Sequence, residues 1–456
     1  MKKIIVLLSF LNIMFLANAQ DKQQKCLDDS INISKLVETK SYNEAAILWF
    51  DIEKKCNNLN ENFYRNGEII FEYQKEMSNT IETKKAVVSD IIRVFDKYEA
   101  KFPENNNGNG VKKALYLFDY NLGTNDEIFN TLDISFKKNK NNFKNPQALY
   151  LYFDSYLNQF KSGKKALTTD DLYKKHIEIC QKIEVDLKLL EGENAILITK
   201  QQTEPLNAIE QKSLKDRTNT IQSLKTVESS IKSLFDPYIT CDNLKKYCTA
   251  SFDSNQNDIF WLEYTSEYLF AKNCYNDSIT DKITTKRYEL NPNSKASFYL
   301  GYIMLLRNNS EKATLLFNES ADKEEIKSEK AKIYYTMATV VYGINNKKKS
   351  AECLKKTLDF DPSFAKAYLF LAQLYENSTE CFPTEFDKKA IYWLVAKTVK
   401  KAGIADKMFD KSSEILSEKY SKKAPTNAEI DAAGLKKVKN YTFGCWINET
   451  IEIPKI

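Results

Sequence analysis

Residues 331–364 read AKIYYTMATVVYGINNKKKSAECLKKTLDFDPSF, and this 34-residue stretch decides the fold. Tyr334 stands at its fourth place, Met337 and Ala338 at the seventh and eighth, and Val341 at the eleventh. Ser350 follows at the twentieth, Leu354 at the twenty-fourth, Leu358 at the twenty-eighth and Asp361-Pro362 near the end. Two antiparallel helices need this alternation of large and small residues. Small side chains at places eight and twenty let the helices approach, bulky ones fill the space beside them, and Pro stops the second helix.

The flanking residues repeat the scheme. From Ser294, Leu300-Gly301 fall at places seven and eight, Ala313 at twenty and Phe317 at twenty-four, with three extra residues assigned to the charged run Glu324 to Lys330. From Ala365 come Tyr368, Leu371-Ala372 and Tyr375, with a late second helix, Ala390 to Lys397, after a loop holding Cys381 and Pro383. Three adjacent units in one register predict an all-α solenoid of helical hairpins with tetratricopeptide-type packing. Tyr42, Ala45 and Trp49 echo the second helix of a unit starting near Cys26. Amphipathic helices follow over Asn62–Met77, Val87–Lys101, Lys112–Tyr120, Glu127–Lys137 and Pro146–Phe160. Between Leu172 and Leu234, apolar residues thin to one stripe (Leu214, Ile221, Leu224, Ile231, Leu234), divided from what precedes it by Pro205. Two or three long connecting helices are expected there, with a free-standing coiled coil as the alternative. Tyr441 to Ile456 alternates like two short strands turning at Asn448-Glu449, a β-hairpin-like tail too small to stand without packing on the last helices.

The expected organisation is a signal peptide over 1–19, a helical-hairpin region over 20–165, connecting helices over 166–240, a repeat domain over 241–421 and a cap over 422–456. The export segment is read from Lys2-Lys3, the apolar stretch Ile4 to Leu16 and the Ala17-Asn18-Ala19 cleavage pattern before Gln20. That stretch falls short of the ~20 residues a membrane span takes, and no later run does better.

Composition agrees. Eleven glycines and nine prolines in 456 residues leave few of the usual turn formers, so few tight turns are expected. The hydrophobic content of 43% is enough to bury a core. A net charge of +5 without a long basic run argues against a nucleic-acid partner. The nine cysteines include no C-x-x-C pair, which leaves zinc and thioredoxin-type chemistry without support. Outside the cytosol disulfides persist, and three are favoured: Cys26 with Cys56, closing the open end of the first hairpin, Cys241 with Cys274, and Cys381 with Cys445. Spacing alone does not fix this connectivity. Cys180, Cys248 and Cys353 are left as buried thiols.

The chain resembles a family of exported tetratricopeptide-repeat proteins of Bacteroidetes, largely of unassigned function. The carriers are the Cys26 to Cys56 hairpin with Trp49, Trp261-Leu262 with Cys274, the repeats from Leu300-Gly301, Tyr392-Trp393-Leu394, Lys423-Ala424-Pro425-Thr426 and the closing Gly444-Cys445-Trp446-Ile447-Asn448-Glu449-Thr450. One departure is Asn57-Asn58 after Cys56, where Cys-Pro is expected. The resemblance implies a periplasmic or outer-envelope location and no catalytic centre.

A single histidine, His176, rules out a metal site of several histidines. Set beside Lys174 and Lys175, it reads as a solvated surface residue. No Gly-rich phosphate loop is present and no cofactor or metal is expected. In this repeat class the first helix of each unit lines the concave face, with places two, five, nine and twelve pointing inward. These places hold Phe298, Tyr302 and Leu305, then Lys332, Tyr335, Thr339 and Tyr342, then Leu369, Gln373 and Glu376. Aromatic residues favour an interface core, although some of these side chains could instead pack on the neighbouring unit. The expected function is a non-catalytic protein-binding scaffold or adaptor of the bacterial envelope, serving an outer-membrane assembly or secretion machine. The alternatives are a chaperone-like carrier of exported clients and, more remotely, an envelope enzyme.

Overall fold

The computed structural model describes residues 24–105, 108–163 and 165–454. The expected export segment over 1–19 lies outside these. The chain is all-α, with twenty helices and one two-stranded sheet among the described residues. It divides into two compact units, 1–239 and 240–456.

The first unit holds α1 (24–38), α2 (Tyr42–Lys55), α3 (Glu61–Met77), α4 (Ile81–Lys101), α5 (Asn109–Asp119), α6 (Asn125–Lys138), α7 (Pro146–Ser162), α8 (Thr169–Gln201) and α9 (Ala208–Phe235). Local chemistry sets the helix starts. Asn60, Thr80, Thr124, Asn145, Thr168 and Asn207 each accept a backbone N–H of the first turn, so α4 starts six residues before the apolar pattern does. The α8–α9 hairpin packs on α7 and is not free-standing; Leu224 and Ile231 of the α9 stripe are buried, as is Phe235 beside the half-buried Leu234.

His176 corrects an expectation, since it is fully buried. Its ring stacks on Phe235 at 4.0 Å between centroids and meets Phe153 edge-on at 5.2 Å. Helical period explains this: Leu172, Tyr173, Ile179 and Cys180 are buried one turn either side, and His176 falls on their stripe. The lysines that suggested a wet surface point elsewhere, as in the Lys175 Nζ bond to the Tyr152 hydroxyl at 2.7 Å.

The second unit holds α10 (Cys241–Asn255), α11 (Ile259–Ala271), α12 (Ser278–Leu290), α13 (Ser294–Leu306), α14 (Ser310–Lys323), α15 (Lys327–Gly343), α16 (Lys347–Phe360), α17 (Ala365–Glu376), α18 (Glu385–Ala405), α19 (Asp410–Ser421) and α20 (Asn427–Ala432). The small residues work as the repeat reading requires. Ser350 Oγ donates to the Ala338 carbonyl at 2.8 Å, so places twenty and eight touch. A Cβ on Gly301 would lie 3.2 Å from both Leu316 Cβ and Phe317 Cε1, which shows how closely α13 and α14 approach.

Tight turns are more numerous than the shortage of glycine suggested. Asparagine makes them: Asn121, Asn273, Asn308 and Asn345 all take left-handed φ between 51° and 61°. In Asn308-Asn309 and Asn345-Asn346 the first residue turns the chain and the second caps the next helix. Asparagine tolerates this conformation because its short polar side chain bonds locally.

The tail forms β1 (Asn440–Thr442) antiparallel to β2 (Thr450–Glu452), with Tyr441 opposite Ile451. Phe443, Ile447 and Ile451 are buried in the same core as α15 to α18. Trp446 stacks on Tyr375, and the Tyr441 hydroxyl donates to Asp387. The disulfides are Cys26–Cys56, Cys241–Cys274 and Cys381–Cys445, the pairs favoured from the sequence, with Cys180, Cys248 and Cys353 free and buried. Burial pushes the Cys180 and Cys248 thiols up to about 12, which leaves them unreactive at neutral pH.

Candidate functional site

The first helices of the three repeats, α13, α15 and α17, carry the residues expected to face inward. Two hollows open along them. One, of about 350 Å³, is lined by Tyr335, Thr339, Lys366, Leu369, Phe370 and Gln373. It brings together Tyr335 and Thr339 of the second repeat with Leu369 and Gln373 of the third. The other, of about 450 Å³, lies one repeat earlier and includes Phe298, Tyr299, Lys295, Lys332 and Glu329.

Each wall is held by packing. Tyr335 is half-buried, its ring 4.9 Å from Phe364 and 6.2 Å from Phe370. Burial raises its phenol above the ordinary value, so it stays a neutral donor. Tyr299 stacks on Phe270 at 3.9 Å, and the Arg287 guanidinium lies 5.3 Å from its ring. Arg287 is buried, donates to Ser266 Oγ at 2.7 Å and has its pKa lowered by desolvation against the pull of Glu267 and Glu263. Burial, reinforced by the Glu267 charge, pushes the Tyr299 phenol up to about 12.

Other inward places are already engaged. Tyr302 packs on Tyr275 of the α11–α12 loop and on Phe270 of α11, at 5.1 and 5.8 Å. Tyr342 meets Phe370 at right angles, 5.3 Å away. Leu305 is half-buried against the repeat core. Glu376 accepts the Tyr420 hydroxyl at 2.6 Å and the Lys423 ammonium at 3.3 Å, which joins it to α19 and the chain that follows. Lys332 pairs with Glu329 at 2.6 Å and Lys295 with Glu267 at 2.7 Å, whereas Lys366 has no ion pair among the described residues.

Sequence reasoning missed Phe370 and Lys366. Lys366 stands at place two of its repeat, the same place as Lys332, and that register would have found it. Phe370 lies off the inward period. It becomes part of the wall because Tyr335 and Tyr342 of the preceding repeat contact it, a link between helices that no period within one helix reports. Chemically the surface offers neutral hydroxyl and amide groups, aromatic and aliphatic faces, and one uncompensated ammonium.

No family model matches the chain, and no curated protein matches it. Among solved structures it is similar to the MamA protein, at 18% identity over 38% of this chain and 85% of that one, with a TM-score of 0.31. It is also similar to yeast Tom70, at 12% identity over 91% and 96%, TM-score 0.28, and to a chain of the APC/C hetero-tetramer Cut9–Hcn1, at 11% identity over 89% and 85%, TM-score 0.32.

Proposed function

We propose that this chain is a non-catalytic scaffold that binds a partner protein along α13, α15 and α17. The observation that carries the reading is the hollow across two repeats, in which Tyr335, Thr339, Leu369 and Gln373 meet beside Phe370 and Lys366. Its mix of half-buried aromatic faces with exposed amide and hydroxyl groups suits a helix or extended segment that inserts apolar side chains and bonds at the rim. We further propose that the scaffold works in the bacterial envelope after export, in an outer-membrane assembly or secretion machine. The export pattern, three disulfides and the family resemblance support that setting.

The test is partner recovery from cells carrying Leu369→Ala with Gln373→Ala. Gln373 is exposed and Leu369 is only half-buried at the edge of the repeat core, so the fold should persist by circular dichroism. Loss of one discrete partner supports the scaffold. Unchanged recovery with the fold intact sinks it, and capture of a heterogeneous set of unfolded clients favours a carrier instead.

A further inference from the structure

A second surface lies at the corner between α18 and α19. Ile404, on the last turn of α18, and Met408, four residues on, are 78% and 81% exposed. The corner that presents them is firmly built. A Cβ on Gly403 would stand 2.1 Å from Ser413 Oγ and 2.9 Å from Asp410 Cα, so the two helices meet there backbone to backbone. The Asp406 carboxylate accepts the Met408 N–H at 2.9 Å and fixes the single turn between the helices. Two large apolar side chains are thus held outward by a tight corner.

The charge around them is one-sided. Residues 397–411 contain five lysines against two aspartates, a net +3 in a chain whose total is +5. Lys397, Lys400 and Lys401 precede Ile404 by seven, four and three residues, which places them on its exposed helical face. Lys407 and Lys411 follow. Elsewhere lysines pair with a carboxylate one turn away, as in Lys55–Asp51 or, at the start of α18 itself, Lys388–Glu385. Among the described residues none of these five has an ion pair. The helix dipole accounts for lysines at the end of α18. It disfavours Lys411 in the first turn of α19 and does nothing to explain Ile404 and Met408.

We propose that this corner is a peripheral membrane anchor: Ile404 and Met408 enter the interface of a lipid surface whose anionic headgroups meet the lysines. Cations without carboxylate partners around a protruding apolar tip are what such a surface selects, Lys401 lying 6.0 Å over the Tyr368 ring, and a fluid bilayer conforms to a convex corner without needing a matching cavity. No helix among the described residues is long and apolar enough to cross a membrane, so the attachment is superficial and reversible.

The test is co-sedimentation of the chain from Gln20 onward, which omits the apolar run at 4–16, with vesicles of phosphatidylcholine alone or with about one-third phosphatidylglycerol. Binding is expected only to the anionic vesicles and is expected to fall steeply between about 0.1 and about 0.5 M salt. Lys400→Gln with Lys401→Gln and Lys407→Gln should weaken it by about 100-fold, at roughly five-fold per lysine. Ile404→Ser with Met408→Ser should weaken it by about tenfold or more. Lys348→Gln, on the distant α16, should change nothing. All the altered side chains are exposed, so circular dichroism should be unaltered. Equal binding to both vesicle types, no binding to either, or anionic binding that survives both sets of changes would overturn the proposal. A chain that ignores vesicles but crosslinks through position 404 to an acidic protein would overturn it too and put a protein there instead.

Discussion

Gly67→Ala separates packing from helix propensity in the first repeat. Gly67 lies mid-way along α3, where alanine alone would favour the helix by about 1 kcal/mol. Here the added Cβ would stand 2.6 Å from Trp49 Nε1 and 2.8 Å from Trp49 Cε2. Trp49 cannot yield cheaply. It is fully buried, stacks on Phe63 at 4.9 Å, meets Phe71 edge-on at 5.2 Å and donates to the Phe63 carbonyl at 3.1 Å. Overpacking costs about 1–3 kcal/mol. Loss of a buried hydrogen bond costs about 1–3 kcal/mol more. Less the propensity gain, the expected net is a loss of about 3 kcal/mol. Amide exchange read by mass spectrometry on peptides from 42–77 should then quicken by roughly 100-fold. The control is the same change with Trp49→Leu, whose side chain ends short of the clashing Nε1, Cε2 and Cζ2 positions. In that background Gly67→Ala should be neutral or stabilising by up to about 1 kcal/mol. An equal cost in both backgrounds would refute the reasoning.

Further outcomes are expected. Cys381→Ser with Cys445→Ser should destabilise the second unit by about 2–4 kcal/mol and quicken exchange over 440–452, because the disulfide ties the buried Phe443, Ile447 and Ile451 to the α17–α18 loop. Burial holds the His176 imidazole well below its ordinary pKa, with Lys232 adding to the depression. The unfolded chain therefore binds the extra proton first, so this contribution to stability is complete above about pH 6.5 and shrinks as pH falls below it. As His176 is the only histidine, its ring signal in proton NMR should not titrate through the ordinary imidazole range, and His176→Phe should remove that part of the acid loss. Lys389 and the Thr426 cap hold the Glu429 carboxyl down to about 2. Anchoring of α20 should be complete above the ordinary carboxylate range and lost as pH falls towards about 2, and Glu429→Gln should abolish this dependence in exchange over 427–432.

The repeats were legible because their decisive contacts recur at fixed places in the sequence. Ala338 with Ser350, and Gly301 with Phe317, are small-to-small and small-to-large contacts that a register of 34 residues exposes. His176 was misread because adjacent lysines dominated a residue whose fate depends on neighbours three and four positions away. The asparagine turns were overlooked because turn formation was equated with glycine and proline, although Asn-Asn recurs at 308–309 and 345–346. In the groove, place number located Thr339, Leu369 and Gln373 on the surface. It could not foresee that Tyr302 spends its ring on Phe270 and Tyr275, or that Phe370 completes the wall, because both depend on how one repeat sits on the next.

The central claim is that a partner lies along α15 and α17. A photocrosslinking residue placed in cells at Thr339 or Gln373, both exposed in the hollow, tests it most directly when compared with one at Lys348 on α16. The account predicts one discrete protein adduct, identified by mass spectrometry, from both groove positions and none from Lys348. No adduct from the groove, or the same adducts from all three positions, would contradict it.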